Sequence, residues 1–109
     1  PSTEDGNGVL LWIGQSGRHY RLVPEARDGF QLRDFCVHVL VAGVSALWAG
    51  SARDIVSDPQ SRTGFRAAIT KTASVYRLEP TPDEDERSIA VWDILNGAPA
   101  GPPRLVEGD

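Results

Sequence analysis

The stretch over residues 35–76, FCVHVLVAGVSALWAGSARDIVSDPQSRTGFRAAITKTASVY, constrains the fold more than any other part of the chain. Its first half alternates strictly. Phe35, Val37, Val39 and Val41 fall on one side of an extended segment, and Asp34, Cys36, His38 and Leu40 on the other, because successive strand side chains point to opposite faces. With Ala42-Gly43 as a two-residue turn, Val41 faces Val44, Val39 faces Ala46 and Val37 faces Trp48, making one apolar side. The other side carries Cys36, His38, Leu40, Ser45, Leu47 and Ala49. A sheet face left to water carries charged or hydroxylated residues instead. This second side is therefore expected to be covered, by the first hairpin, by the last helix or by a second copy of the chain.

The second half is helical. Ser51 and Asp54 have the spacing of a capping box. Asp58-Pro59 supplies the N-cap and first position of a longer helix. Phe65, Ala68, Ile69, Thr72 and Tyr76 recur along it at helical spacing. This stripe is expected to lie on the Val/Trp side of the sheet.

Upstream, GVLLWIG and HYRLVPE flank QSGR and predict another hairpin with Ser16-Gly17 as its loop. In that register Ile13 faces Tyr20 and Leu11 faces Leu22 on a core side, while Trp12 lies opposite Arg21 as a cation–π pair. Residues 24–29 (PEARDG) read as a turn. Downstream, residues 82–96 read as a second helix, with Thr81 as N-cap, Ile89, Trp92 and Leu95 continuing the period, and Asn96-Gly97 as its stop. A strand through IAVWDIL is the competing assignment. The expected organisation is a disordered tail over 1–8, one α+β domain over 9–96 with about four antiparallel strands in two hairpins, and a Pro/Gly-rich tail over 97–109.

At 109 residues the chain holds one modest core. No apolar run approaches the roughly 20 residues that span a bilayer. The acidic, polar start PSTEDGNG lacks the layout of a secretory leader, so the cytoplasm is the expected compartment. Lys71 is the only lysine among 11 basic residues, a bias typical of GC-rich coding and hence of a bacterial source. The net charge of −4 is unevenly spread. Residues 9–80 carry nine basic and six acidic side chains, a balance of +3, and the remainder is acidic.

Candidate chemistry is sparse. A single cysteine excludes an internal disulfide. Asp34, Cys36 and His38 share a strand side, but alternate rungs lie roughly 6–7 Å apart, beyond the reach of a Cys–His couple. Zinc wants four ligands, and paired Cys or His spacings are missing. The acidic run 83–86 lacks the alternation and glycine of a calcium loop. No phosphate-cradling glycine pattern or hydrolase elbow occurs. Neither catalytic residues nor a metal or other cofactor is therefore assigned. The expected function is a non-enzymatic protein-interaction module, homodimeric through Leu10, Trp12, His38, Leu40 and Leu47. The alternative is a nucleic-acid-binding module using Arg18, Arg21, Arg27 and Arg33 beside aromatic residues.

Overall fold

The structure, a computed structural model, describes residues 9–26, 33, 36–71, 74–79 and 81–100. Six strands and three helices follow one another as β1 (Leu10–Ile13), β2 (His19–Glu25), β3 (His38–Ala42), β4 (Ser45–Gly50), α1 (Ala52–Ser57), α2 (Pro59–Lys71), β5 (Ser74–Glu79), α3 (Glu84–Leu95) and β6 (Ala98–Pro99). The class is α+β, as the sequence indicates, with a larger antiparallel sheet ordered β4-β3-β5-β2-β1-β6. The two predicted hairpins are present, but β5 lies between them and pairs with both β2 and β3. The sheet curls until its edge strands β4 and β6 approach each other. The trough this makes is filled by α3.

Both hairpin registers differ from expectation. Ile13 pairs with His19, Trp12 with Tyr20 and Leu11 with Arg21, one residue away from the expected pairing. The reason is the loop. Gly14 donates its N–H to the Arg18 carbonyl and Gly17 donates to the Gly14 carbonyl, so five residues separate the paired positions. A one-residue slip exchanges the faces of one strand. Trp12 consequently joins Tyr20 and Leu22 in the core, Leu11 is exposed, and no Trp12–Arg21 pair forms.

In the second hairpin the turn residues are Gly43-Val44, and Gly43 adopts φ +63°, a conformation glycine takes without strain. Val41 pairs with Ala46, whereas Leu40 pairs with Trp48, leaving Leu47 as a bulge. The extra residue turns Trp48 to the face opposite the valines. Val37, Val39 and Val41 pack with Trp12, Tyr20, Leu22, Leu78, Ala90 and Ile94 beneath α3. Leu40, Trp48 and Val75 pack on the reverse side against Phe65, Ala68 and Ile69 of α2. Trp48 and Phe65 meet edge to face, with centroids 5.0 Å apart. The helical stripe therefore covers Trp48 as expected, but not the valines.

The long helix ends at Lys71, and Tyr76 belongs to β5 rather than to the stripe; Thr72 lies outside the described residues. Asp58 caps α2 by accepting the Gln60 N–H (3.0 Å), and Asp54 accepts the Ser51 N–H (2.8 Å) at the start of α1, as those spacings predict. The segment after Pro82 is a helix, but its N-cap is Asp83, which accepts the Glu86 N–H at 2.9 Å, rather than Thr81. Its buried stripe is Ala90, Asp93 and Ile94, while Ile89, Trp92 and Leu95 face outward. Pro24 and Glu25 extend β2 into the expected turn. Ala98 and Pro99 pair with Ile13 and Trp12, so the segment after Gly97 begins as a short strand.

Candidate functional site

The placement of α3 rests on one buried carboxylate. Asp93 sits in the middle of VWDIL and points into the trough. It accepts hydrogen bonds from the Ser16 N–H (2.8 Å), the Ser16 hydroxyl (2.6 Å) and the Tyr20 hydroxyl (2.8 Å). Burial works against the charged carboxylate, yet the Ser16 and Tyr20 donors hold its pKa below the ordinary value. Burial, reinforced by Asp93, pushes the Tyr20 phenol up to about 12. A side chain on Gly14 would run into the Asp93 carboxylate, so that loop position has room only for glycine. Trp12 adds a bond from its indole N–H to the Ile94 carbonyl at 2.9 Å.

This latch fixes which side of α3 faces out. Asp93 and Ile94 are locked inward, so helical geometry turns Ile89, Trp92 and Leu95 to the surface, with exposures of 61%, 56% and 38%. Trp12 and Trp48 are buried, and Trp92 is the exposed member of the three tryptophans. Beside it runs a groove of about 280 Å³ between α3 and the start of α1 and α2, with Ala49, Val91, Trp92 and Leu95 on its apolar side and Asp54 and Asp58 opposite. Two contacts tie the groove's walls together: Arg53 to Glu84 at 2.7 Å and Arg87 to the Ser51 hydroxyl at 3.0 Å. The arrangement offers an apolar ridge and hollow with carboxylates at their margin.

The residues singled out for interaction have scattered. Trp12, His38 and Leu40 are fully buried by the chain's own packing, and Leu10 is half-buried against the core. Leu47 is 37% exposed, in the bulge of β4, where it borders a shallow hollow with Gly64, Ala67 and Lys71.

The second side of the sheet divides in two. Next to β4 it is roofed by α2; over β2 and β5 it carries a charged network. Glu25 accepts from Arg33 (2.5 Å) and Arg77 (2.7 Å), and Glu79 accepts from Arg21 (3.0 Å) and Arg77 (3.4 Å). The two guanidinium groups bring Glu25 below the ordinary carboxylate range although burial opposes this. His38 lies under this network. Its Nε2 accepts the Arg33 N–H at 3.2 Å, which leaves the neutral ring's proton on Nδ1, 3.6 Å from Glu25. Burial lowers its pKa to about 4, with Glu25 opposing and Arg33 and Arg77 adding to the effect. Cys36 is a buried free thiol.

Of the four arginines in the nucleic-acid reading, Arg21 and Arg33 are ion-paired, Arg18 is exposed in the first hairpin loop, and Arg27 lies outside the described residues, as does Asp34. Arg18 and Arg21 border an open depression of about 530 Å³ whose remaining charged residues include Glu79, Asp83 and Glu86. Among the described residues no group of three or more His, Cys, Asp or Glu is placed to hold a metal ion. No helix among them is long and apolar enough to cross a membrane.

The ridge of α3 escapes a sequence reading that follows Ile89, Trp92 and Leu95 as the buried stripe. Two interleaved stripes run along this helix, and the one with the larger apolar side chains, Ile89, Trp92 and Leu95, is on the outside. Asp93 within an apolar run is the available signal, because a carboxylate takes a core position only when donors converge on it. No protein-family model matches the chain, no curated protein is detectably similar to it in sequence, and no solved structure matches its fold.

Proposed function

We propose that this protein is a non-enzymatic protein-interaction module whose contact surface is the outer side of α3 and the adjoining groove. The observation that carries the reading is Trp92, a large aromatic side chain left 56% exposed between Ile89 and Leu95 on a helix held rigidly from behind. Aromatic anchors on rigid supports dominate binding energy at interfaces, and a contiguous apolar patch is seldom left in water without a use.

The rest of the molecule supports the same reading. His38, the histidine that the sequence sets two residues from Cys36, is sealed from solvent with Nε2 engaged by the Arg33 N–H. Arg21 and Arg33 are engaged by carboxylates, which weighs against phosphate contact. The contact surface moves away from the residues first expected to form it, since Trp12, His38 and Leu40 serve the interior of a single chain.

The test is selection of a displayed random-peptide library on the immobilised protein, with an Ile89→Glu/Trp92→Glu variant as counter-target. Both substitutions are at exposed positions, and circular dichroism checks that the fold is kept. The expected outcome is a set of peptides that bind the wild type at least about tenfold tighter than the variant, a difference of about 1.4 kcal/mol. Recovery only of peptides that bind both equally would overturn the reading.

A further inference from the structure

We infer that the partner seated on α3 presents apolar anchors flanked by lysine or arginine, a basic amphipathic segment rather than a second copy of this chain. The inference rests on the interaction reading above and adds the partner's chemistry to it.

Charge complementarity selects the occupant. After the capping Asp83, the first turn of α3 carries Glu84, Asp85 and Glu86, and its last turn carries no basic residue. Asp85, Ile89 and Trp92 are spaced four and three residues apart, so the acid continues the line of the ridge. Asp54 and Asp58 border the groove from the other side. Of the nearby cations, Arg53 is paired with Glu84, and Arg87 lines the groove itself and donates to the Ser51 hydroxyl, so the charge left around the ridge is acidic through Asp54, Asp58, Asp83, Asp85 and Glu86. An apolar ridge is thus margined by carboxylates of α3, of α1 and of the junction between α1 and α2. A basic amphipathic segment satisfies both features at once, its apolar side on Ile89, Trp92 and Leu95 and its cations toward the acidic end.

The same charges disfavour self-association through this surface. Laid antiparallel, two copies of α3 would set the first-turn carboxylates of one against the carbonyl-bearing C-terminus of the other, the negative end of its dipole. Laid parallel, they would set acid against acid.

The experiment uses three fluorescein-labelled peptides with the same leucine-lined helical face and with Lys, Gln or Glu on the other face. Each is titrated with the full chain and followed by anisotropy. The Lys peptide is expected to bind at least about tenfold tighter than the Gln peptide, and the Glu peptide weakest. That preference should collapse as added salt shortens the Debye length from about 30 Å to about 3 Å. Trp92→Glu should weaken the Lys peptide at least about tenfold and Trp92→Phe should largely restore it, while Glu84→Gln/Asp85→Asn should erase the Lys-over-Gln preference and leave Gln-peptide binding in place. Equal, Trp92-dependent binding of all three peptides would overturn the basic partner while leaving the interaction surface standing. Binding of the Lys peptide that ignores Trp92→Glu, or failure of all three to bind, would overturn both. Concentration-dependent dimerisation of the peptide-free protein, abolished by Trp92→Glu, would assign the ridge to a second copy and overturn the inference.

Discussion

Single side chains decide this fold at two places, and each makes a measurable claim. Asp93 serves three donors from the first hairpin, so Asp93→Ala removes all three bonds, strands the buried Tyr20 hydroxyl and should cost about 3 kcal/mol in urea unfolding. Gly14→Ala should cost about 1–3 kcal/mol because the added methyl needs the volume of the Asp93 carboxylate. In the double variant that conflict is gone, so the two costs should fall short of additivity by about 1 kcal/mol or more. His38 makes the second claim. Its pKa is about 4 when folded and near 6.5 when unfolded, so between those values the unfolded chain binds the extra proton. The contribution of neutral His38 is therefore complete above about pH 6.5 and is lost as pH falls toward 4, by on the order of 3 kcal/mol. Glu25 and Asp93, held below their ordinary values, lose their contributions at still lower pH. His38→Gln keeps an acceptor for the Arg33 N–H and should flatten the stability profile between pH 4 and 6.5; an unchanged slope would show that another group titrates there.

Elements were legible in the sequence where one local pattern decided them and illegible where two patterns overlapped. The alternation of Val37, Val39 and Val41 found a strand face, and Asp58-Pro59 found the start of α2, because both signals are complete within a few residues. The end of α2 was not legible. Tyr76 falls in step with Phe65 and Ile69, yet SVYRLE is β-branched and aromatic and is captured by two flanking strands. Trp48 lay beyond reach for another reason, since a bulge one residue earlier inverts its face and nothing local to Leu47 announces it. The pairing of Trp48 with Phe65 holds α2 to the sheet from this inverted position. Phe65→Ala should cost about 2–3 kcal/mol, less than a fully buried Phe because Phe65 is half-buried, and the loss should be read as an earlier urea midpoint at unchanged m-value.

At the scale of the whole molecule, the chain buries one helix in a curled sheet and leaves that helix's apolar back open. The candidate site follows from this inversion: Asp93 faces the core, where apolar residues usually lie, and Trp92 the solvent. Sequence periodicity detected the helix but assigned its apolar stripe inward, since the donors that make Asp93 a core residue come from a hairpin more than 70 positions away. Burial of Trp12, His38 and Leu40 was equally unreadable, because β5 enters between the two hairpins and the register of the first turns on a loop of three residues, 15–17, instead of the two assumed. The most direct measurement of the account is iodide quenching of tryptophan emission in the isolated protein at low concentration, compared with Trp92→Phe. Because Trp12 and Trp48 are buried, wild type should show one strongly quenched class of emission, and Trp92→Phe should remove it while leaving the unquenched class intact. A wild type that resists iodide throughout, or a Trp92→Phe protein that quenches as strongly as wild type, would mean that the back of α3 is covered and that the surface assigned to a partner is not there.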